Sequence, residues 1–454
     1  MSDEKVGAIM SAFVHPDEIR SRFSAALSAL YRAEVPQYGD LLTLVADINA
    51  QTLKADAGGA DRLAASGELA RLSEERHGAI RVGTADELAT IARAFAVMGM
   101  QPVSYYNLAP AGVPVHSTAF RPVDPAALAR NPFRVFTSLL RLELIEDDAL
   151  RQEAAANLAR RDIFTPGARE LIETAEAAGG LDEAQADRFV SELLETFRWH
   201  AQATVSAQTY ERLVAAHRLI ADVVSFKGPH INHLTPRTLD IDAAQAAMPA
   251  RGITPKETIE GPPARACPIL LRQTSFKALE EAIAFPGAEG PNPGEMTAGT
   301  HTARFGEIEQ RGCALTPAGR ALYDAALASK DFSALPDDWD ALRRGDLAWF
   351  RYRATPEGLA ARAETADLDA LISAGHVVAE PITYEDFLPV SAAGIFQSNL
   401  GAEARAAAYA VDPAKADFEQ ALGRPVQDEM ALYRAEQDAS MAATLKALGL
   451  TVPI

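Results

Sequence analysis

Residues 76–124 force this chain to combine helix and sheet. "RHGAIRVG" (76–83) is short and strand-like. "TADELATIARAFAVMGM" (84–100) reads as a helix, with Thr84 as its N-cap and Glu87 at the capping-box spacing. Gly99 ends it. "QPVSYYNL" and "VPVHSTAFRP" then read as two strands joined by the turn "APAG". The order is strand, helix, strand, strand. Residues 147–224 have the opposite texture. They are rich in Ala, Glu, Arg and Leu, read as almost wholly helical, and break at "TPG" and "AAGG". The two textures together predict an α+β fold with a large helical insertion.

The remainder is divided by the same signals. "PDEIRSRFSAALSALYRAE" (16–34) is an amphipathic helix with Pro16 in its first turn and Ile19, Phe23, Leu27, Leu30 and Tyr31 on one face. "VPQYGDLL" breaks it, and a further helix is expected from about Asp40. Tyr210, Leu213, Val214, His217 and Ile220 share a face of the last helix in the helical block, with His217 read as a packed core histidine. Strand–helix texture returns at "FKGPHINHLTPR" and "TLDIDAAQAAM". Residues 251–265 and 285–300 read as Pro/Gly-rich loops, with the strand-like "PILLRQTSF" and a short helix between them. A strand is expected at 303–312, and a helix begins at "TPAGRALYDAAL", capped by Thr316. Five segments result: a helical segment 1–75, a first strand–helix module 76–146, the helical insertion 147–225, a second strand–helix module 226–315, and a mixed C-terminal part 316–454. "HGAIRVGTAD" and "HLTPRTLDID" echo each other in three or four positions, which related units or chance would both produce.

Composition narrows the partners. The chain has 454 residues, is 48% hydrophobic and 23% charged, and is therefore expected to fold. Its net charge of −19 repels phosphate backbones, so nucleic acid is not an expected partner. An acidic metabolite would need a local arginine or lysine. Two unpaired cysteines, no visible signal peptide and no apolar run of ~18 residues predict a soluble cytoplasmic protein with no membrane contact.

The chemistry starts at "RFGEIEQRG" (304–312). Glu307 and Glu309 are two apart, so on a strand they share a face. Either that face is wet or one acid holds a cation. Among the nine histidines, His77, His230 and His233 lie at strands or strand starts, and His116 lies in a strand where it could line a pocket or simply pack. Two histidines and one carboxylate with open positions suit non-haem Fe(II) and O₂ chemistry. His77, His233 and Glu307 could supply that set, although spacing alone favours ordinary polar strand residues.

"FGEIEQRG" resembles the metal-binding strand of 4-hydroxyphenylpyruvate dioxygenase, a member of the vicinal oxygen chelate superfamily. "YRAEVPQYGDLL", "ERHGAIRVGTADELATI", "AGVPVHSTAFRP", "GPHINHLTPRTLDID", "ARFGEIEQRG" and "FLPVSAAGIFQSNL" together resemble the 2-oxoadipate dioxygenase/decarboxylase family of that superfamily. These motifs span residues 31 to 400 without a departure. The resemblance implies a curved mixed sheet enclosing a metal site. It implies Fe(II) held by His77, His233 and Glu307, and a substrate bound by Arg81, Val390 and Ser391. His77, Arg81, His233 and Glu307 are then the catalytic set. His230 is the rival to His233, which is preferred because the pattern after it mirrors the one after His77. The implied reaction consumes O₂ and a 2-oxo diacid, releases CO₂ and yields 2-hydroxyglutarate from 2-oxoadipate, in lysine catabolism. Strand geometry is compatible: His77 and Arg81 face the same side roughly 13 Å apart, at ~3.3 Å per residue. A metal-dependent isomerase or lyase of the glyoxalase type is the alternative on the same scaffold.

Overall fold

The structure is a computed structural model that describes residues 13–65, 67–276, 280–286, 296–361, 365–388 and 414–450. The chain forms two compact units. The first comprises Met1–Glu260, Gln273–Glu309 and Phe387–Val426. The second comprises Gly261–Arg272, Gln310–Asp386 and Gln427–Ile454. Among the described residues, no helix is long and apolar enough to cross a membrane.

The strands, in chain order, are β1 (Arg76–Val82), β2 (Gln101–Asn107), β3 (Val115–Arg121), β4 (Arg134–Leu140), β5 (His233–Pro236), β6 (Leu271–Ser275), β7 (Glu281–Phe285), β8 (Thr297–His301), β9 (Glu307–Arg311), β10 (Phe350–Ala354) and β11 (Val377–Pro381). In the first unit a five-stranded mixed sheet has the order β2-β3-β4-β1-β5. β1 is its pivot: parallel to β4, with Arg81 opposite Ser138, and antiparallel to β5, with Ala79 opposite His233. Directly paired residues share a face. His77, Ala79, Arg81, Phe136, Ser138, Thr235 and His233 therefore lie on one face. Ile80, Val82, Val135 and Leu139 lie on the other. That second face is apolar because helices cover it, and it joins the core with Leu88, Ile91 and Phe95 of the helix Ala85–Val97 and Phe23 of Pro16–Glu34. Phe95 packs edge-on against Phe120 at 5.0 Å between ring centroids.

Local sequence explains these elements. Thr84 accepts the backbone N–H of Glu87, as a capping threonine should. Glu87 does not return to Thr84; its carboxylate accepts the Gly83 N–H at 2.6 Å and pairs with Arg161. The chain adds β4, a fourth strand in this module, after a short helix Pro125–Arg130, so that its order is strand, helix, strand, strand, short helix, strand. Just before β1, Glu75 is fully buried and faces three arginines: Arg71, Arg134 and Arg237. This cluster ties the start of β1 to β4 and to the chain leaving β5.

Four local expectations need correction. The second helix is Pro36–Ala55, not one starting near Asp40; Pro36 opens it, and Val35 gives no side-chain cap. Among the described residues the segment after β6 holds no short helix: "EAIAF" is β7, paired antiparallel with β8. The expected 285–300 loop accordingly gives up Phe285 to β7 and Thr297–Thr300 to β8. The last helix of the helical block is two helices, Ala207–Ala216 and Arg218–Val224. His217 stands extended between them and accepts the Leu219 N–H through Nδ1 at 3.1 Å, so it is a cap at the break rather than a packed core side chain.

The second unit pairs β10 with β11 antiparallel. The helix Glu429–Ala447 covers the β10 edge. Gln437 Oε1 accepts the Phe350 N–H, Ser440 Oγ accepts the Tyr352 N–H, and the Thr444 hydroxyl donates to the Tyr352 carbonyl. Side chains here satisfy an edge that would otherwise offer open backbone groups.

Candidate metal centre

β9 lies alongside β5, held by the Phe305 N–H on the Asn232 carbonyl at 3.2 Å and the Thr238 N–H on the Glu309 carbonyl at 2.7 Å. Its start needs glycine. A Cβ on Gly306 would stand 1.6 Å from the Phe276 ring, so any other residue displaces that ring or the strand. Gly78 in β1 is similarly constrained, with Ile231 Cδ1 2.6 Å from where a Cβ would sit. These close approaches bring β1, β5 and β9 together, and with them His77, His233 and Glu307.

Each of these three side chains is buried and offers one ligand atom, and those atoms lie within 4.8 Å of one another. Among the described residues this is the only such group of His, Cys, Asp and Glu. Atoms that share one ion at about 2.1 Å stand at most about 4.2 Å apart. A set already within 4.8 Å reaches that spacing by side-chain adjustment alone.

The surrounding hydrogen bonds prepare the ligands. His233 Nδ1 lies 2.9 Å from Thr235 Oγ1, and the Thr235 hydroxyl donates to Glu307 Oε1 at 3.1 Å. The threonine oxygen must then accept from Nδ1–H, which leaves the lone pair on Nε2. His233 Nε2 is buried and has no hydrogen-bond partner. Gln273 on β6 donates to the same Glu307 oxygen at 2.9 Å. His77 Nε2 is 3.2 Å from Glu307 and Nδ1 is 2.9 Å from Glu309, yet neither contact has the direction of a hydrogen bond. The His77 ring meets that of His233 edge-on at 5.3 Å and that of Phe387 at 4.9 Å.

Electrostatics separate the two imidazoles. Burial pushes His233 well below its ordinary value, and the neighbouring His77 and Arg81 add to that. Burial works against a charged His77 as well, but the Glu309 and Glu307 carboxylates outweigh it and raise its value. Two acids facing one imidazole in a dry interior call for a positive charge there. The donor set of two nitrogens and one carboxylate, with a buried lone pair aimed at no protein donor, fits a divalent cation.

The other singled-out residues fall elsewhere. Arg81 is on the same face of β1, buried, with Nη1 2.7 Å from Asp222. His230 contacts that same aspartate at 3.3 Å and is not in the triad. His116, opposite Leu139, is on the helix-covered face against Phe418. Val390 and Ser391 lie outside the described residues. Sequence reasoning missed Thr235, Gln273 and Asp222. Thr235 sits two residues after His233, so their side chains share a strand face, and that spacing could have found it. Asp222 was detectable only as a lone acid in the apolar run "RLIADVV".

Known proteins resemble this chain over most of its length. A family model described as 2-oxoadipate dioxygenase/decarboxylase matches residues 23–399. The protein of that name from Escherichia coli K12 is 58% identical over 449 residues, covering 95% of this chain and 98% of its own. That from Mycobacterium tuberculosis H37Rv is 42% identical over 429 residues, covering 92% and 96%. The crystal structure of hydroxyglutarate synthase from Pseudomonas putida in complex with 2-oxoadipate superposes with a TM-score of 0.87 at 56% identity, covering 97% of this chain and 100% of that one. With the family model spanning most of its length and relatives this similar over nearly all of theirs, the chain belongs to the 2-oxoadipate dioxygenase/decarboxylase family.

Proposed function

We propose that this protein is an Fe(II)-dependent dioxygenase that converts 2-oxoadipate and O₂ to 2-hydroxyglutarate and CO₂, a step in lysine breakdown in the cytoplasm. The observation that carries the reading is the buried convergence of His77, His233 and Glu307. The family's name and the 2-oxoadipate in a relative's crystal structure support the substrate.

His77, His233 and Glu307 hold the ion in this reading. When bound, Fe(II) supplies a redox-active Lewis acid with open positions for a chelating 2-oxo acid and dioxygen. Thr235 keeps the His233 Nε2 lone pair directed away from its own contact, and Gln273 fixes one Glu307 oxygen. Phe387 and Phe136, whose rings stand 5.5 Å apart, give that face apolar walls that keep water from the reacting atoms. Arg81, four residues along β1 from His77, binds the far carboxylate of the diacid and so sets which end meets the metal. Val390 and Ser391 close the pocket over the substrate, as the family resemblance implies. The sheet is the curved sheet of a vicinal-oxygen-chelate fold. Segments 76–146 and 226–315 are its metal-binding modules, 147–225 is the helical insertion, 1–75 is a helical lead-in, and 316–454 completes the pocket.

The overall reaction needs no proton from the protein: the dianion of 2-oxoadipate plus O₂ has the atoms and charge of the 2-hydroxyglutarate dianion plus CO₂. The two electrons that cleave dioxygen come from the decarboxylation, so no separate 2-oxo acid co-substrate is required. Oxygen uptake by the Fe(II)-loaded protein should equal 2-oxoadipate consumption, with 2-hydroxyglutarate as product. Substrate loss without oxygen uptake would instead favour the isomerase or lyase alternative.

A further inference from the structure

At the far end of β1 from the triad, Arg81 is not alone. Asp222, on the helix Arg218–Val224, is buried and uses both carboxylate oxygens. Oδ2 accepts from Arg81 Nη1 at 2.7 Å. Oδ1 accepts from His301 Nε2 at 3.0 Å and lies 3.3 Å from His230 Nε2. His301 is held in turn: its Nδ1 lies 2.7 Å from the Tyr210 hydroxyl. The Asp222 carboxylate can only accept, so His301 Nε2 carries the proton it donates there, and a neutral ring then accepts the Tyr210 hydroxyl through Nδ1. Trp199 stacks on the His301 ring at 6.0 Å with 12° between planes. His301 and His230 thus meet one oxygen of a carboxylate whose other oxygen meets the arginine.

A chain of this kind could carry protons or hold a side chain in place. The balanced reaction takes up and releases no net proton, so its stoichiometry calls for no relay to solvent. The reaction does call for holding. A long arginine side chain has many rotamers, and a diacid is measured only if the guanidinium stays at one depth. Asp222 gives Arg81 a fixed partner in a dry environment, where a charge-assisted hydrogen bond is short and directional.

We propose that Asp222, locked by His301 and Tyr210, is the positioning residue for Arg81, and that this network confers the preference for 2-oxo acids with a second carboxylate. The inference rests on the reading of Arg81 as the anchor for the distal carboxylate.

The test compares 2-oxoadipate with 2-oxohexanoate, which has the same chain length and no distal carboxylate. The quantity read is the ratio of kcat/KM for the two in the iron-loaded holoenzyme. A ratio is unaffected by the active fraction, so partial misfolding does not mimic the effect. Asp222→Asn keeps the shape but must turn an amide N–H₂ toward one of two donors, Arg81 or His301. The ratio should fall by about tenfold or more, mainly through KM for the diacid, with iron content retained. An unchanged ratio overturns the proposal. If Asp222→Asn yields no folded protein, His301→Gln and Tyr210→Phe are read the same way, with smaller falls expected and no change in either again overturning it. Wild-type protein that turns over 2-oxoadipate but shows no preference for it refutes the role of Arg81, and one that turns over neither acid refutes the proposed activity; both outcomes are distinct from failure of Asp222 alone.

Discussion

The two ends of one strand face carry opposite kinds of polar chemistry. At the His77 end, ligand atoms crowd together with a lone pair on His233 Nε2 that no protein group uses. At the Arg81 end, charge meets countercharge, and each Asp222 oxygen has a donor. The lesson is that a buried polar cluster declares its purpose by what it leaves incomplete. A cluster that has a carboxylate for its cation is a fixture. A cluster that crowds two carboxylates against two imidazoles and leaves a buried lone pair unused is a receptor for a cation.

Substitutions at each end should break this contrast in different ways. The largest effect belongs to the receptor: His77→Ala or Glu307→Ala should abolish both retained iron and oxygen uptake, checked by metal analysis and an oxygen electrode. Iron retained by Glu307→Ala would transfer the ligand role to Glu309, which stands 2.9 Å from His77. Next is the charge cluster that anchors the start of β1. Glu75→Gln leaves Arg71, Arg134 and Arg237 facing a neutral side chain and should cost about 3–5 kcal/mol in urea unfolding. At the other end, Arg81→Ala should raise KM for 2-oxoadipate roughly 100-fold, from the loss of charge-assisted hydrogen bonds, and leave iron content alone. A diacid preference that survives this change contradicts the assigned role. The smallest effect sharpens the contrast. Thr235→Val keeps the shape but removes the link between His233 and Glu307, and Fe(II) affinity measured by titration of the metal-free protein should fall about tenfold.

How much of this the sequence revealed follows from the range of each interaction. The helix Pro16–Glu34 was legible because Ile19, Phe23, Leu27 and Tyr31 repeat at helical spacing, and all four are buried. Thr84 was legible because a cap acts over three residues. The misses arose where a local preference lost to a distant partner. "EAIAF" has the Ala and Glu of a helix, but it is five residues long and pairs with β8. His217 has no local mark of a helix break, because its ring does the capping that Ser, Thr, Asp or Asn usually does. The ends of the triad, His77 and Glu307, lie 230 positions apart and leave no spacing to read. Family resemblance singled out those residues, and pairing of β1 with β5 brings two of them within reach. Asp222 had neither a motif nor a neighbour in sequence to mark it.

β1 sits between β4 and β5, hydrogen-bonded on both sides. A shift of its register by a single residue would turn His77 and Arg81 into the oily layer beneath the helices and push Ile80 and Val82 out into the chamber. The same error that silences the enzyme would also make it unstable. Such a molecule cannot persist as a well-folded but idle impostor, and every copy that survives with this strand seated has its working side chains pointing the right way.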